Sequence, residues 1–444
     1  MKDLTTGKAS RLILQFTWPM LLGNVFQQLY NIVDSIIVGK FIGKQALAAV
    51  GASFPIVFTL ISLIIGVASG TTIVIAQFFG AKEYNKVKRA IDTMYIFVFI
   101  ASVFLSFIGI SFSEEIFRLI KLPEDIMPQA TTYLNIYIGG LVMVFGFNGT
   151  SAILRGLGDS KTPLVFLIIS TLFNIGFDLL FVLVFKWGIA GVAIATIIAQ
   201  GGAFITAILY LNRNHDMFNI KISSLTFDKK IFKQSLRIGL PTGFQHTFFA
   251  LGIMVLMGIV NTFGTNVIAA YSAAVRIDSM AALPAMNFSQ ALATFVGQNI
   301  GAKKTERVRS GMISTFFMSS IISITVTLVV ILSSRFLMGM FTDDKDVISI
   351  GAEYLVIVSS FYLVFTGMFT VNGVLRGAGD TLIPMFITLF SLWLVRLPVA
   401  YFLSGEIGET GIWWSSPIGW VMGLILSFIY FSTGKWKTKS ILKG

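Results

Sequence analysis

Cysteine is absent from this 444-residue chain, histidine occurs twice, and charged residues make up only 12% of it. The missing cysteine removes disulfides, thiolate metal sites and thiol nucleophiles together. Two histidines, no HExxH and no nucleophile elbow leave hydrolytic chemistry little to work with, so a membrane-embedded enzyme is a remote reading. So few charges beside 55% hydrophobic residues exclude an ordinary soluble domain.

What the chain has instead is long apolar runs. A helix needs roughly 20 mostly apolar residues to cross the hydrocarbon core. Twelve such stretches occur, near 12–39, 46–79, 90–111, 130–156, 162–185, 189–211, 232–262, 267–300, 311–332, 352–375, 382–403 and 412–432. They predict an all-α polytopic membrane protein. The polar start MKDLTTGKASR, followed by a long run that contains Pro19, does not resemble a cleavable signal, so the first helix is expected to stay.

The net charge of +12 raises the question of nucleic acid, but cytoplasmic loops are biased toward Lys and Arg. With the amino terminus inside, loops and tails on that side hold 24 of the 33 basic residues, among them Lys82, Lys86, Lys88, Arg89, Lys303, Lys304, Arg307 and Arg309. The opposite loops carry the acidic clusters Glu114, Glu115, Glu124, Asp125 and Asp343, Asp344, Asp346. Basicity therefore reports topology: a multi-pass protein of the cell membrane with both termini cytoplasmic and no nucleic-acid partner.

LRGLGDSKTP from Leu154 hints at a phosphate loop or at the GxGD box of an intramembrane protease. It recurs as LRGAGDTLIP from Leu375, an offset of 221 residues. The same offset matches Gln77 to Gln298, Gly80 to Gly301, Lys82 to Lys303 and Tyr133 to Tyr354. A phosphate loop needs glycine just before its lysine, where Ser160 stands, and the second copy has no lysine at that place. Glycines that end a helix, with Pro163 or Pro384 opening the next, explain both copies. The chain thus reads as two six-helix units. Because six is even, they are parallel repeats related by a pseudo-twofold axis along the membrane normal. The expected boundaries are 1–211 for the first lobe, 212–231 for a basic cytoplasmic linker and 232–444 for the second lobe with its basic tail.

Duplicated residues serve the scaffold, so unduplicated polar residues inside the spans are the candidates for chemistry. A charge at the bilayer centre costs about 2.5–3.5 kcal/mol on insertion scales and usually faces a cavity. Asp34 and Asp178 both stand in the first copy, where the second copy has Val255 or Leu256 and Val399. Residues three and four apart share a helix face, which gathers Gln27, Tyr30 and Asn31 beside Asp34, Ser170 and Asn174 beside Asp178, and Thr196 beside Gln200. Oxygen and amide groups of this kind suit a proton relay or a dehydrated alkali cation, and two acids close together titrate as a unit. Arg276 and Asp278 line a cleft or pair, although a spacing of two does not favour a bond between them. Arg396 precedes Pro398 within a span, and His246 is a lone histidine that suits packing better than chemistry.

These features together resemble the multidrug and toxic compound extrusion (MATE) transporters over essentially the full length. The residues that carry the likeness are WPMLLGNVFQQLYNIVDSIIVG, ALAAVGAS, the duplicated LRGxGD turn and FNIGFDLLFV. The resemblance implies a V-shaped pair of lobes that exports organic, often cationic, compounds and confers drug resistance by alternating access, in exchange for inward H⁺ or Na⁺. It implies no cofactor, small-molecule substrates and a monomer. It further implies a cation site at Asp34, Asn174, Asp178 and Thr196, with Tyr30 and Tyr133 lining the same cavity. The branch with carboxylates on helices seven and ten is not matched, since here only Glu353 lies at the edge of helix ten. A flippase for a lipid-linked saccharide is the alternative, and it would want several cations where the spans offer chiefly Arg276 and Arg396.

Overall fold

Apolar runs of this length leave the backbone one way to satisfy its polar groups in lipid, which is to bond within helices. The computed structural model describes residues 2–214, 220 and 222–443, and among the described residues there is no strand. In chain order the helices are α1 (Ala9–Ile37), α2 (Lys44–Gly80), α3 (Tyr84–Ser111), α4 (Ser113–Leu119), α5 (Met127–Gly139), α6 (Leu141–Gly156), α7 (Lys161–Leu179) and α8 (Gly188–Asn214). The second copy supplies α9 (Lys229–Asn261), α10 (Thr265–Gly301), α11 (Thr305–Gly339), α12 (Lys345–Ser359), α13 (Tyr362–Gly377), α14 (Leu382–Leu389), α15 (Leu397–Ile407) and α16 (Glu409–Ser432). Three π-helical segments, Val38–Ile42, Leu180–Val184 and Phe390–Arg396, continue α1, α7 and α14 without a break in the chain.

Eight of these helical segments are long and apolar enough to cross a membrane, and two more crossings come from the bent pairs α5–α6 and α12–α13. The remaining long helices, α1 with 29 residues and α10 with 37, have the length but are more polar. They carry Asp34 and Asp278.

The bends at 51° and 47° are details that hydropathy does not announce. Each frees backbone carbonyls in an apolar setting, and each copy satisfies one of them in the same way. Ser106 Oγ of α3 donates to Ile138 O at 2.6 Å, and Thr327 Oγ1 of α11 donates to Ser359 O at 2.8 Å. The two donors and the two carbonyls are both 221 residues apart, so the repeat extends to individual hydrogen bonds.

The LRGxGD turns repeat as closely. Gly158 and Gly379 have φ of 80° and 90°, the left-handed region that a side chain disfavours. A Cβ on Gly156 would stand 2.8 Å from Thr72 O, and one on Gly377 would collide with Ala293 O, so each turn lies directly on the backbone of α2 or α10. Asp159 Oδ1 then accepts from the amides of Lys161 and Thr162 at 3.1 and 3.0 Å, capping α7. Helix termination and close packing account for this motif.

The chain gathers into two compact units. One is chiefly Trp18–Gly243, and the other combines Asp3–Thr17 with Phe244–Gly444. The first turns of α1 thus belong with the second unit and the first turns of α9 with the first. Of the expected linker, 215–219 and 221 lie outside the described residues. The part leading into α9 is fastened to α3: the amide of Asp228 donates to Thr93 Oγ1 at 3.0 Å, while Asp228 Oδ1 caps α9 by accepting from Lys230 and Ile231.

Gly377→Ala is expected to lower stability by about 1–3 kcal/mol, because the added methyl meets backbone that cannot rotate away. Gly176→Ala, inside α7 with nothing within 4 Å of its Cβ position, is expected to be neutral or mildly stabilising. Thermal unfolding of the two variants in detergent checks the difference.

Candidate functional site

Helical spacing puts the polar residues of the first unit on facing surfaces. Ser170, Asn174 and Asp178 recur every four residues along α7 and are all buried, as is Thr196 on α8. The two helices are held antiparallel by a tight connection in which the amide of Trp187 donates to Phe181 O at 2.9 Å. Asp178 sits in the last turn of α7 before Leu180–Val184, and Asp34 stands four residues before Val38–Ile42. Both acids therefore border a π-helical segment, where the i→i−4 ladder is interrupted and side-chain register shifts.

The shift brings the acids together. The carboxyl groups of Asp34 and Asp178 are in hydrogen-bond contact. The amide of Asn174 satisfies both its neighbours, donating to Asp178 Oδ2 at 3.0 Å and accepting from the backbone N–H of Thr196 at 3.1 Å. The hydroxyls of Tyr30 and Thr196 are 3.3 Å apart. Gln27, Tyr30, Ser170, Asn174, Thr196 and Gln200 line one small cavity beside the acids. Tyr133 and Tyr137 of α5 stack with ring centroids 6.2 Å apart and lie close enough to Asp34 to act on it electrostatically.

Most residues singled out from the sequence thus meet here: Gln27, Tyr30, Asp34, Tyr133, Asn174, Asp178, Thr196 and Gln200. Tyr137 was not anticipated, although its place four residues after Tyr133 was the available signal. Asn31 stays outside. Its side chain is exposed and its amide donates to Gln28 Oε1 at 3.4 Å, because its position on α1 puts it at the edge of the polar stripe.

Arg276 and Asp278 belong to the other unit. Arg276 is exposed, and among the described residues no ion pair joins it to Asp278. Asp278 instead accepts from Tyr362 at 2.7 Å and Tyr354 at 3.4 Å. Two residues apart on a helix, the acid and the arginine point about 200° away from each other. No part of the first unit's cluster depends on them.

Chemically the cluster is rich in acceptors and short of donors. Two carboxyl groups in contact attract each other only when they share a proton or a cation. Asp34 Oδ1, Asp178 Oδ1 and Gln200 Oε1 are buried oxygens without a donor. An electropositive guest matches that shortage, either a proton on the acid pair with Asn174 as described or an alkali cation held by Asp34, Asp178, Thr196 Oγ1 and, once its amide turns over, Asn174 Oδ1.

The family model MatE matches this chain twice, at residues 19–180 and 241–402, once in each copy of the repeat. Probable multidrug resistance protein YpnP of Bacillus subtilis is 32% identical over 442 residues, covering 99% of this chain and 98% of its own length. Probable multidrug resistance protein NorM of Thermotoga maritima is 26% identical and covers 97% and 94%. A solved structure, the outward-facing conformation of a multidrug resistance MATE family transporter of the MOP superfamily, has a TM-score of 0.91 at 22% identity and covers 98% of both chains. That likeness establishes the fold.

Asp34→Asn is expected to preserve the fold, since its amide can donate to the remaining carboxylate. Asp34→Leu strands Asp178 without that partner in a fully buried position and is expected to cost about 1–3 kcal/mol. Melting temperatures in detergent, with Asp34→Asn close to wild type and Asp34→Leu clearly lower, check the contact.

Proposed function

The chain belongs to the MatE family of membrane transporters, and from that premise we propose that it is a secondary active exporter. It moves organic, often cationic, compounds outward in exchange for inward H⁺ or Na⁺. The observation that carries the reading is the contact between Asp34 and Asp178 within a cluster of buried oxygen acceptors that lack donors. The multidrug names of the relatives in Bacillus subtilis and Thermotoga maritima, and the all-oxygen donor set, support the same conclusion.

In this mechanism the coupling cation binds at Asp34, Asn174, Asp178 and Thr196. Binding neutralises the acid pair and draws in Asn174 and Thr196, and through Thr196 the Tyr30 hydroxyl. The rearrangement lowers affinity for the organic substrate in the outward-open state, so the substrate leaves and the cation is carried inward when the lobes alternate. Coupling is the difference between the affinities of the two conformations for each ligand, and by linkage each ligand weakens the other. A single chain contains every residue this scheme uses, with both termini on the cytoplasmic side as the loop charges favour. A flippase for a lipid-linked saccharide is less well supported, because the acid cluster offers a pyrophosphate repulsion rather than a cradle.

The reading is tested in vesicles loaded with a fluorescent organic cation, with the Na⁺ and pH gradients imposed separately. One gradient should drive transport at least tenfold above leak, and the Asp34→Asn, Asp178→Asn double variant should fall to leak while remaining folded. Wild-type driven transport by that variant sinks the assignment.

A further inference from the structure

Asp278 of α10 takes no part in the mechanism above. Its repeat position is Val57, so like Asp34 and Asp178 it stands where the other copy is apolar. It lies on the one long helix of the second unit that falls short of the apolar measure met by the other spans.

Its bonding partners straddle a break. Tyr354 belongs to α12 and Tyr362 is the first residue of α13, on either side of Ser360–Phe361, where the tenth span bends by 47°. Tyr362 donates to Asp278 Oδ1 at 2.7 Å and Tyr354 donates to Oδ2 at 3.4 Å. One carboxyl group thereby ties both arms of a bent helix to α10.

The other polar groups around it are few. Arg396, from Phe390–Arg396, is near enough to act on Asp278 and Tyr271 electrostatically, yet no ion pair joins it to the acid. Its Nε is buried without a partner, and the side chain is 8% exposed. Tyr271 stands on α10 itself and stacks on Trp413 of α16. Glu353 of α12 is turned away to accept from Thr410 at 2.8 Å. Arg376 of α13 donates to Gln245. The charged residues of α11, Glu306, Arg307, Arg309 and Arg335, lie toward its ends, and α16 has only Glu409 at its start. A small, mainly apolar cavity lies next to the clamp, lined by Tyr362 itself and by Ala281, one turn from Asp278, with Ser319, Ser323 and Thr366 as its other hydroxyl-bearing residues.

We propose that Asp278 is a second proton-binding site, in the second unit, and that its proton sets the bend of the tenth span. Ionised, the carboxylate accepts from both tyrosines and faces Arg396, and charge-assisted bonds of this kind are roughly twice as strong as neutral ones. A proton arriving from water at the half-buried carboxylate leaves a neutral acid, weakens the Tyr362 bond, releases the longer Tyr354 bond and loosens the break. When the proton returns to water the clamp closes again.

Hydrogen exchange of the full-length protein in detergent, measured across a pH series and normalised to intrinsic chemical rates, tests this. Amides of residues 359–365 in the wild type should exchange about tenfold or more faster at the acidic end than at the basic end. Asp278→Asn, fixed in the neutral form, should exchange fast throughout and show no step. The Asp34→Asn, Asp178→Asn double variant should keep the step, and because the readout is protection and not transport, the outcome is independent of the export mechanism. A flat wild-type profile, or a step that survives in Asp278→Asn, overturns the proposal. If Asp278→Asn does not fold, the Tyr354→Phe, Tyr362→Phe double variant must lose the step, and its persistence there overturns the proposal equally.

Discussion

Two carboxyl groups touching inside an apolar helix bundle form the constraint on which the rest of the first unit depends. Bare, the pair repels and the fully buried Asp178 is cut off from water, a strain that a proton or cation between the acids relieves. The surroundings are built to that requirement. Asn174 places its NH₂ on Asp178 and its carbonyl on the Thr196 amide, Tyr30 reaches the Thr196 hydroxyl, and π-helical segments begin two residues after Asp178 and four after Asp34. The polar network surrounds an electrostatic liability with oxygen acceptors, and this is the basis of the proposal that its occupant is small and positive.

The repeat explains why the site can be this demanding. The residues that recur at an offset of 221 solve problems any bent membrane helix has: hydroxyls at Ser106 and Thr327 for freed carbonyls, glycines at 156 and 377 for backbone contact, left-handed Lys82 and Lys303 after α2 and α10. With the scaffold secured twice over, individual positions are free to diverge. Asp34, Asp178 and Asp278 are such positions, and each stands where the other copy is apolar.

How much of this was legible follows from the same distinction. The crossings, the repeat and the turns are written in hydropathy and glycine placement, which act locally. Four-residue spacing plus the cost of a buried charge singled out Asp34, Asp178 and Asn174 beside it, whereas their union with Thr196 across three helices was what the family resemblance implied. The bends could not, because hydropathy runs on through Gly139–Leu141 and Ser359–Tyr362, and the hydroxyl that stabilises each bend comes from a different helix. The partners of Asp278 were hidden for a related reason. Tyr354 and Tyr362 are eight residues apart, about 12 Å along a straight helix, and they meet one carboxylate where the helix breaks between them. Asn31 shows the opposite limit, a residue with acceptable spacing whose side chain lies at the exposed margin of the stripe.

The central claim is that substrate and coupling cation compete through the Asp34–Asp178 pair, and the most direct measurement is displacement on binding. A fluorescent organic cation added to purified protein in weakly buffered detergent should release about one proton per chain, or displace bound ²²Na⁺ if the pair holds sodium, as reciprocal linkage requires. The Asp34→Asn, Asp178→Asn variant should release neither. Tight substrate binding by the wild type with no displaced cation, or displacement undiminished in that variant, contradicts the account.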